Sequence, residues 1–179
     1  MVGYFAYTPI NINQNPNQMA PASEIERMLD RSRQLEQALK VQPDSVEMQA
    51  ELGNIWYDAG IYYASLGEYA RGDKYFKAAT GPYQKALEKD PDRVYLRVDL
   101  ATAAYYGGLD DLAGEQFQKA IQQDPKFFNA RYNYGFFLYQ RMNDAKGAIE
   151  QWEAALELSP DPQAKEVLES LITSAKEKN

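Results

Sequence analysis

From residue 23 onward, apolar side chains recur at helical spacing. Ile25, Met28, Leu29, Leu35 and Leu39 fall on one face of a helix that runs to about Val41. Ser23 and Glu26 have the spacing of a capping box at its start, and Asp44 and Glu47 repeat the signal for the next helix. Beyond that point amphipathic segments of about 15 to 23 residues alternate with short breaks at Gly67, Gly107-Gly108 and Asn143, and at Pro43, Pro91, Pro125 and Pro160. No stretch sustains the period-two alternation of a strand, so the pattern predicts an all-α domain.

The breaks are periodic. Pro91 to Pro125 is 34 residues and Pro125 to Pro160 is 35. Upstream of each proline stands the same ladder: Ala113, Phe117 and Ala120 before Pro125, then Ala148, Trp152 and Ala155 before Pro160. Ala38 before Pro43 is a truncated echo. The helix ahead of each ladder carries Leu100-Ala101 with Ala104-Tyr105, or Tyr134-Gly135 with Leu138-Tyr139. Two antiparallel helices approach closely where one offers Gly or Ala and the other a bulky side chain, which gives this alternation a packing rationale.

Between residues 24 and 160 the chain resembles the tetratricopeptide repeat (TPR), whose pattern is W-x2-L-G-x2-Y, then A-x3-F, then P. The resemblance implies an α-solenoid, a right-handed superhelix of stacked helix-turn-helix units with flanking capping helices. Each unit alone leaves an apolar face bare, so stacking supplies the core and the ends need polar caps. The expected organisation is a capping helix at 23–42, an elongated repeat at 44–91, repeats at 92–125 and 126–160, and a C-terminal capping helix at 161–177 with Ala164, Val167, Leu168, Leu171 and Ile172 on one face.

The unit at 44–91 is longer than its neighbours by about two heptads, one in each helix. Gly53, Gly60 and Gly67 step by seven in its first helix, and Gly72, Ala79 and Ala86 do so in its second. Seven residues are nearly two turns, so the added length keeps the same face inward with a drift of about 20°. Pro82 then falls inside the second long helix, beside Gly81. A proline there removes a hydrogen bond and clashes with the preceding turn, so a kink or short break is expected at 80–82.

Residues 1–22 form an uncharged, irregular segment crowded with Asn, Gln and Pro, interspersed with Tyr4, Phe5, Tyr7, Ile10 and Ile12. Three readings stand: a loosely docked tail, a strand-like peptide lying in the protein's own groove or a neighbour's, or the end of a membrane anchor lying outside the sequence. Location is accordingly open between the cytoplasm and a membrane-anchored state.

Charge and composition narrow the chemistry. The formal net charge is −7 and the sequence pI is about 4.7, a balance that repels phosphate backbones and anionic membranes. The chain has no Cys and no His, which removes thiolate nucleophiles, disulfides, imidazole bases and almost every zinc site. No run approaches the roughly 20 apolar residues of a bilayer span, so the sequence as given reads as soluble. Asp110, Asp111 and Glu115 fit a helix N-terminus better than a hydrolytic pair, and no phosphate-binding Gly loop or Ser-centred elbow appears. The expectation is a protein without catalytic activity, cofactor or metal.

By the resemblance, function lies in a concave groove lined by the first helices, where family members bind peptides. The positions carried over include Asn54 and Tyr57 in the long unit, Tyr95, Tyr105 and Tyr106 in the next, and Tyr132, Asn133, Phe136 and Tyr139 in the last. Tyrosine joins a rigid apolar face to a polar tip and is enriched at binding hot spots; the alternative for any one of them is packing between helices. One family subtype grips a C-terminal carboxylate with cations and asparagines. Here those places read Ala50, Asn54, Asp99, Asn129 and Asn133, so an acidic tail is disfavoured. Arg97 and Arg131, 34 residues apart, either hold a carboxylate or pair with an acid on a neighbouring helix. The expected partner is a protein or peptide, with no nucleic acid and no direct membrane contact by the repeats. The rival reading is a self-assembling module that forms homo-oligomers through the N-terminal segment or the elongated hairpin.

Overall fold

A computed structural model describes residues 22–159 and 161–177. Among these residues there are eight α-helices and no strand: α1 (Ala22–Leu39), α2 (Val46–Ser65), α3 (Tyr69–Lys89), α4 (Val94–Tyr106), α5 (Asp110–Gln123), α6 (Phe128–Gln140), α7 (Ala145–Leu158) and α8 (Pro162–Glu177). The N-terminal segment, with its three readings, lies outside the described residues except for Ala22.

Packing is sequential: α2 on α3, α3 on α4, α4 on α5, and so on to α7 on α8, with α1 laid against α2. The first helices also meet one another, α4 touching α6. Each hairpin therefore shields its neighbours' apolar flanks, and the chain is an open solenoid of TPR-type units rather than a closed bundle.

Within each hairpin an aromatic ring fills the notch left by a glycine or alanine. A Cβ on Gly135 would stand 2.3 Å from Nε1 of Trp152, and one on Gly53 would stand 2.6 Å from the Tyr83 ring. Trp152 is fully buried and donates its indole N–H to the Tyr132 carbonyl at 3.2 Å. Phe117 and Ala101 are both fully buried, on the corresponding helices of the middle hairpin.

In the elongated hairpin a second layer is added. The helices α2 and α3 have 20 and 21 residues, against 13 and 14 for α4 and α5, so each has gained seven. The extra notch is Gly60, whose added Cβ would lie 2.6 Å from the ring of buried Phe76. The turn that follows is left-handed at Gly67 (φ 78°), as are its counterparts at Gly108 (φ 70°) and Asn143 (φ 53°). Behind the two glycines, Glu68 N–H reaches the Tyr63 carbonyl at 2.9 Å and Leu109 N–H the Ala104 carbonyl at 2.8 Å, closing the helix ends.

Three local expectations are corrected. Helix α3 runs without interruption from Tyr69 to Lys89, so no break forms at 80–82. Pro82 sits on the buried face between Thr80 and Tyr83, held by tertiary packing, while the Thr80 hydroxyl donates to the Lys77 carbonyl at 2.8 Å. At the start of α2 the cap is Ser45, which accepts from Met48 N–H at 3.3 Å; Asp44 instead pairs with Lys89 at 2.9 Å across the hairpin. In α1, Ser23 lies inside the helix, which already begins at Ala22.

Candidate functional site

The helices α2, α4 and α6 form the inner layer because each is the first helix of its hairpin and contacts the next one. Direct links join them. Tyr57 and Tyr106 meet edge to face at 6.4 Å, Asn133 donates to Thr102 Oγ at 3.3 Å, and the Tyr105 hydroxyl donates to Gln140 at 2.6 Å. Positions separated by three, four and seven residues share a helix face, so Ala50, Asn54, Asp58 and Ile61 of α2 align with Tyr95, Asp99 and Tyr106 of α4 and with Asn129, Phe136 and Gln140 of α6.

The aromatic positions divide by burial. Tyr57, Tyr105, Tyr132 and Asn133 are buried, Tyr57 with only 1% of its surface accessible. These four pack between helices: Tyr57 edges onto Phe76 at 5.3 Å, Tyr105 onto Phe137 at 5.9 Å, Tyr132 joins the cluster of Trp152 and Leu168, and Asn133 donates to Thr102. Burial pushes the Tyr105 and Tyr132 hydroxyls up from the usual phenol range. Asn54, Tyr95, Tyr106, Phe136 and Tyr139 are half-buried and keep some surface open. Asn54 is held from behind, accepting from the Tyr83 hydroxyl at 2.7 Å, and Tyr95 accepts from Arg93 at 3.1 Å. Phe136 and Tyr139 rest on Trp152, with ring centroids 5.3 and 5.6 Å away.

Among the described residues, neither Arg97 nor Arg131 pairs with an acid. Arg97 donates to Gln116, Gln123 and the Pro91 carbonyl, and Arg131 to Gln151 and the Pro125 carbonyl, all at 2.8–3.0 Å. Gln49 donates to the Pro43 carbonyl in the same way at 3.1 Å. The same place in all three hairpins thus ties the helix to the proline turn six residues earlier. That spacing is visible in the sequence; only its purpose was missed.

Asp99 differs from its surroundings. The residue as a whole is half-buried. Burial, and then the charge of Asp58 on α2, push its carboxyl up to about 8. Asp110, at the first turn of α5, pairs with Arg141 at 3.0 Å, which accounts for the acid placed there. Among the described residues no cluster of acids fit to hold a metal occurs, and no helix is long and apolar enough to cross a membrane.

Helical hairpins of this length, stacked in register with a small-residue notch facing an aromatic, define a tetratricopeptide α-solenoid. Comparison with known proteins agrees with that fold. The chain superposes on two crystal structures of MamA, one with a TM-score of 0.61 at 19% identity, covering 89% of this chain and 95% of that one. The other has a TM-score of 0.60 at 19% identity, covering 87% and 82%. In sequence it is 33% identical over 109 residues to the type IV pilus assembly protein PilF of Pseudomonas aeruginosa PAO1, a match covering 59% of this chain and 41% of PilF. The chain thus spans about two-fifths of the length of that curated relative. No family model matches.

Proposed function

We propose that this protein is a non-enzymatic interaction module that holds a peptide segment of a partner protein along the face of α2, α4 and α6. The observation that carries the reading is the half-buried row of Asn54, Tyr95, Tyr106, Phe136 and Tyr139. Asn54 is held by Tyr83, Tyr95 by Arg93, Tyr106 by Phe76 at 5.2 Å, and Phe136 and Tyr139 by Trp152, and each is half-buried. Preorganised aromatics bind with little loss of side-chain freedom. The buried set, Tyr57, Tyr105, Tyr132 and Asn133, supports the groove floor. PilF is named for pilus assembly, and an adaptor within a multiprotein assembly fits that likeness.

The test is affinity capture with wild type, with Tyr95→Ala/Tyr139→Ala, and with Glu115→Ala/Lys119→Ala on the exposed side of α5. Loss of the captured partner in the first variant alone is the expected result. Equal capture by all three removes the groove from consideration. The self-assembly reading is favoured by a different observation, the exposure of Leu66 and Tyr69 at the tip of the long hairpin. Light scattering on Leu66→Ser/Tyr69→Ser separates the two: a fall from oligomer to monomer assigns the tip to self-association.

A further inference from the structure

The long hairpin is covered on one flank and bare at the tip of the other. Helix α1 runs antiparallel to α2: Leu35 and Leu39 pack with Leu52 and Ile55 toward the base, and Ile25 packs with Ala59 and Tyr63 toward the tip. Leu29 of α1 meets the same tip cluster, together with Tyr62 and Tyr75. The added layer is therefore closed on the α1 side.

On the opposite flank α4 stops short. Its last residue is Tyr106, whose ring lies 5.2 Å from that of Phe76, and a Cβ on the following Gly107 would stand 3.0 Å from Cγ of Lys77. The α4–α5 turn thus meets α3 at residues 76–77, whereas α3 begins at Tyr69. Two turns of α3, about 10 Å, stand past that meeting point. Tyr69 shares a face with Phe76, seven residues on, so it occupies the place above Tyr106 that a longer α4 would cover. It is 59% exposed. On the facing helix, Ile61 and Ala64 pack against the same cluster as Tyr106 and remain half-buried. Together the three side chains make an apolar shelf above the α4–α5 turn, at the end of α4 opposite Tyr95.

We propose that residues 1–21 of the same chain cross the hairpin tip and dock on this shelf through Tyr4, Phe5 and Tyr7. The proposal stands apart from the groove reading. It takes Tyr69 for the chain's own segment rather than for a second copy.

Position, length and chemistry select this occupant. The segment joins α1 at Ala22, one turn before Ile25, and so leaves the described domain at the tip. Fifteen residues separate Tyr7 from Ala22. That length of chain reaches up to about 50 Å, against roughly 20 Å across two packed helices. Residues 1–21 carry no charged side chain, so laying them on an apolar surface strips no charge of its water. A tethered segment also meets its site at about millimolar effective concentration, which populates a contact too weak to hold a free partner.

The experiment uses disulfide trapping in the full chain, which has no cysteine of its own. Thr8→Cys is combined with Asp73→Cys, one turn above Lys77 at the rim of the shelf, or with Glu88→Cys near the far end of α3. Asp73 and Glu88 are both exposed, and the length of chain before Ala22 lets Thr8 reach either. Under mild oxidation at micromolar protein, the Asp73 pair is expected to close at least ten-fold faster, giving a monomeric product on a non-reducing gel. Tyr4→Ser/Phe5→Ser/Tyr7→Ser, and separately Tyr69→Ser, should bring the two rates together, with circular dichroism confirming wild-type helicity in each. Equal rates without those serine changes, or a preference that either serine variant leaves intact, overturn the proposal. Links that form only between chains give the shelf to a second copy and overturn it as well.

Discussion

The long hairpin α2–α3 and the standard hairpin α6–α7 solve the same packing problem with different numbers of layers. In α6–α7 a single notch at Gly135 receives Trp152. In α2–α3 two notches, Gly53 and Gly60, receive Tyr83 and Phe76 one heptad apart. Because the insertion adds nearly whole turns to both helices, the added layer repeats the old one and leaves the turn chemistry at Gly67 like that at Gly108. A repeat protein can thus lengthen one tooth of its comb without disturbing its neighbours.

The sharpest way to break this comparison is to empty each layer. Phe76→Ala and Trp152→Ala should each cost about 3–5 kcal/mol, since a large buried ring leaves a cavity that rigid helices fill poorly. The two should differ in reach. Phe76 serves the outer layer of α2–α3, where Tyr63, Tyr75 and Tyr57 also pack, so its loss is expected to open α1–α3 and spare α6–α8. Hydrogen exchange resolved by helix checks this; uniform loss of protection in both variants would show that the hairpins do not behave as separable layers.

Among the equivalent positions at which the inner faces of the hairpins differ are Asp99 in α4 and Asn133 in α6, the latter donating to Thr102. Asp99→Asn makes the two alike. The carboxyl is raised in the folded state, so between 3.8 and about 8 the native form binds more protons than the unfolded chain. Stability contributed by this group is therefore fully present below that window and falls as pH rises, by up to about 1.4 kcal/mol per pH unit. Because the residue is only half-buried, solvent reduces the penalty. The amide variant is expected to be more stable than wild type by about 2 kcal/mol at pH 8 and nearly equal to it at pH 4. Urea midpoints at the two pH values measure the difference; a variant less stable at pH 8 reverses the sign.

Proline inside α3 separates the long hairpin from the others in a third way. The helix continues through Pro82, yet the ring still removes the N–H that would reach the Ala78 carbonyl. Pro82→Ala restores that donor and loses some buried ring packing, so a net gain of about 1 kcal/mol is expected, short of the full propensity difference. Thermal denaturation reads it. Destabilisation would mean that the ring's contacts outweigh the missing bond.

Much of the scaffold was legible in the chain, because a 34-residue period and glycines seven apart are facts about spacing. The candidate site was harder to read. Tyr57 and Asp58, or Tyr105 and Tyr106, are adjacent residues about 100° apart around a helix, and whether each is covered depends on rings arriving from elements far away in sequence. Phe76 closes over Tyr57 and Phe137 over Tyr105, which buries them beside half-exposed neighbours. Asn133 is buried and donates to Thr102, a contact with α4 that no local pattern announces. The cap at Ser45 rather than Asp44 turned on a single competing ion pair, that between Asp44 and Lys89.

The smallest expected effect concerns the turns. The first two hairpin turns place glycine at the left-handed position, and the third uses Asn143 at φ 53°, with Asp144 then capping α7 by accepting from Gly147 N–H at 2.9 Å. Asparagine tolerates this region better than other side-chain-bearing residues but still pays a steric penalty that glycine avoids. Glycine, in turn, loses more freedom on folding. Asn143→Gly should therefore stabilise by only about 0.5 kcal/mol, whereas Gly108→Asn should destabilise by a similar amount. Measured together in urea, the two changes should nearly cancel in the double variant if the turns act independently, since the α4–α5 and α6–α7 turns belong to separate hairpins. A clear residue from that cancellation would show the stacked hairpins to be coupled at their tips as well as along their faces.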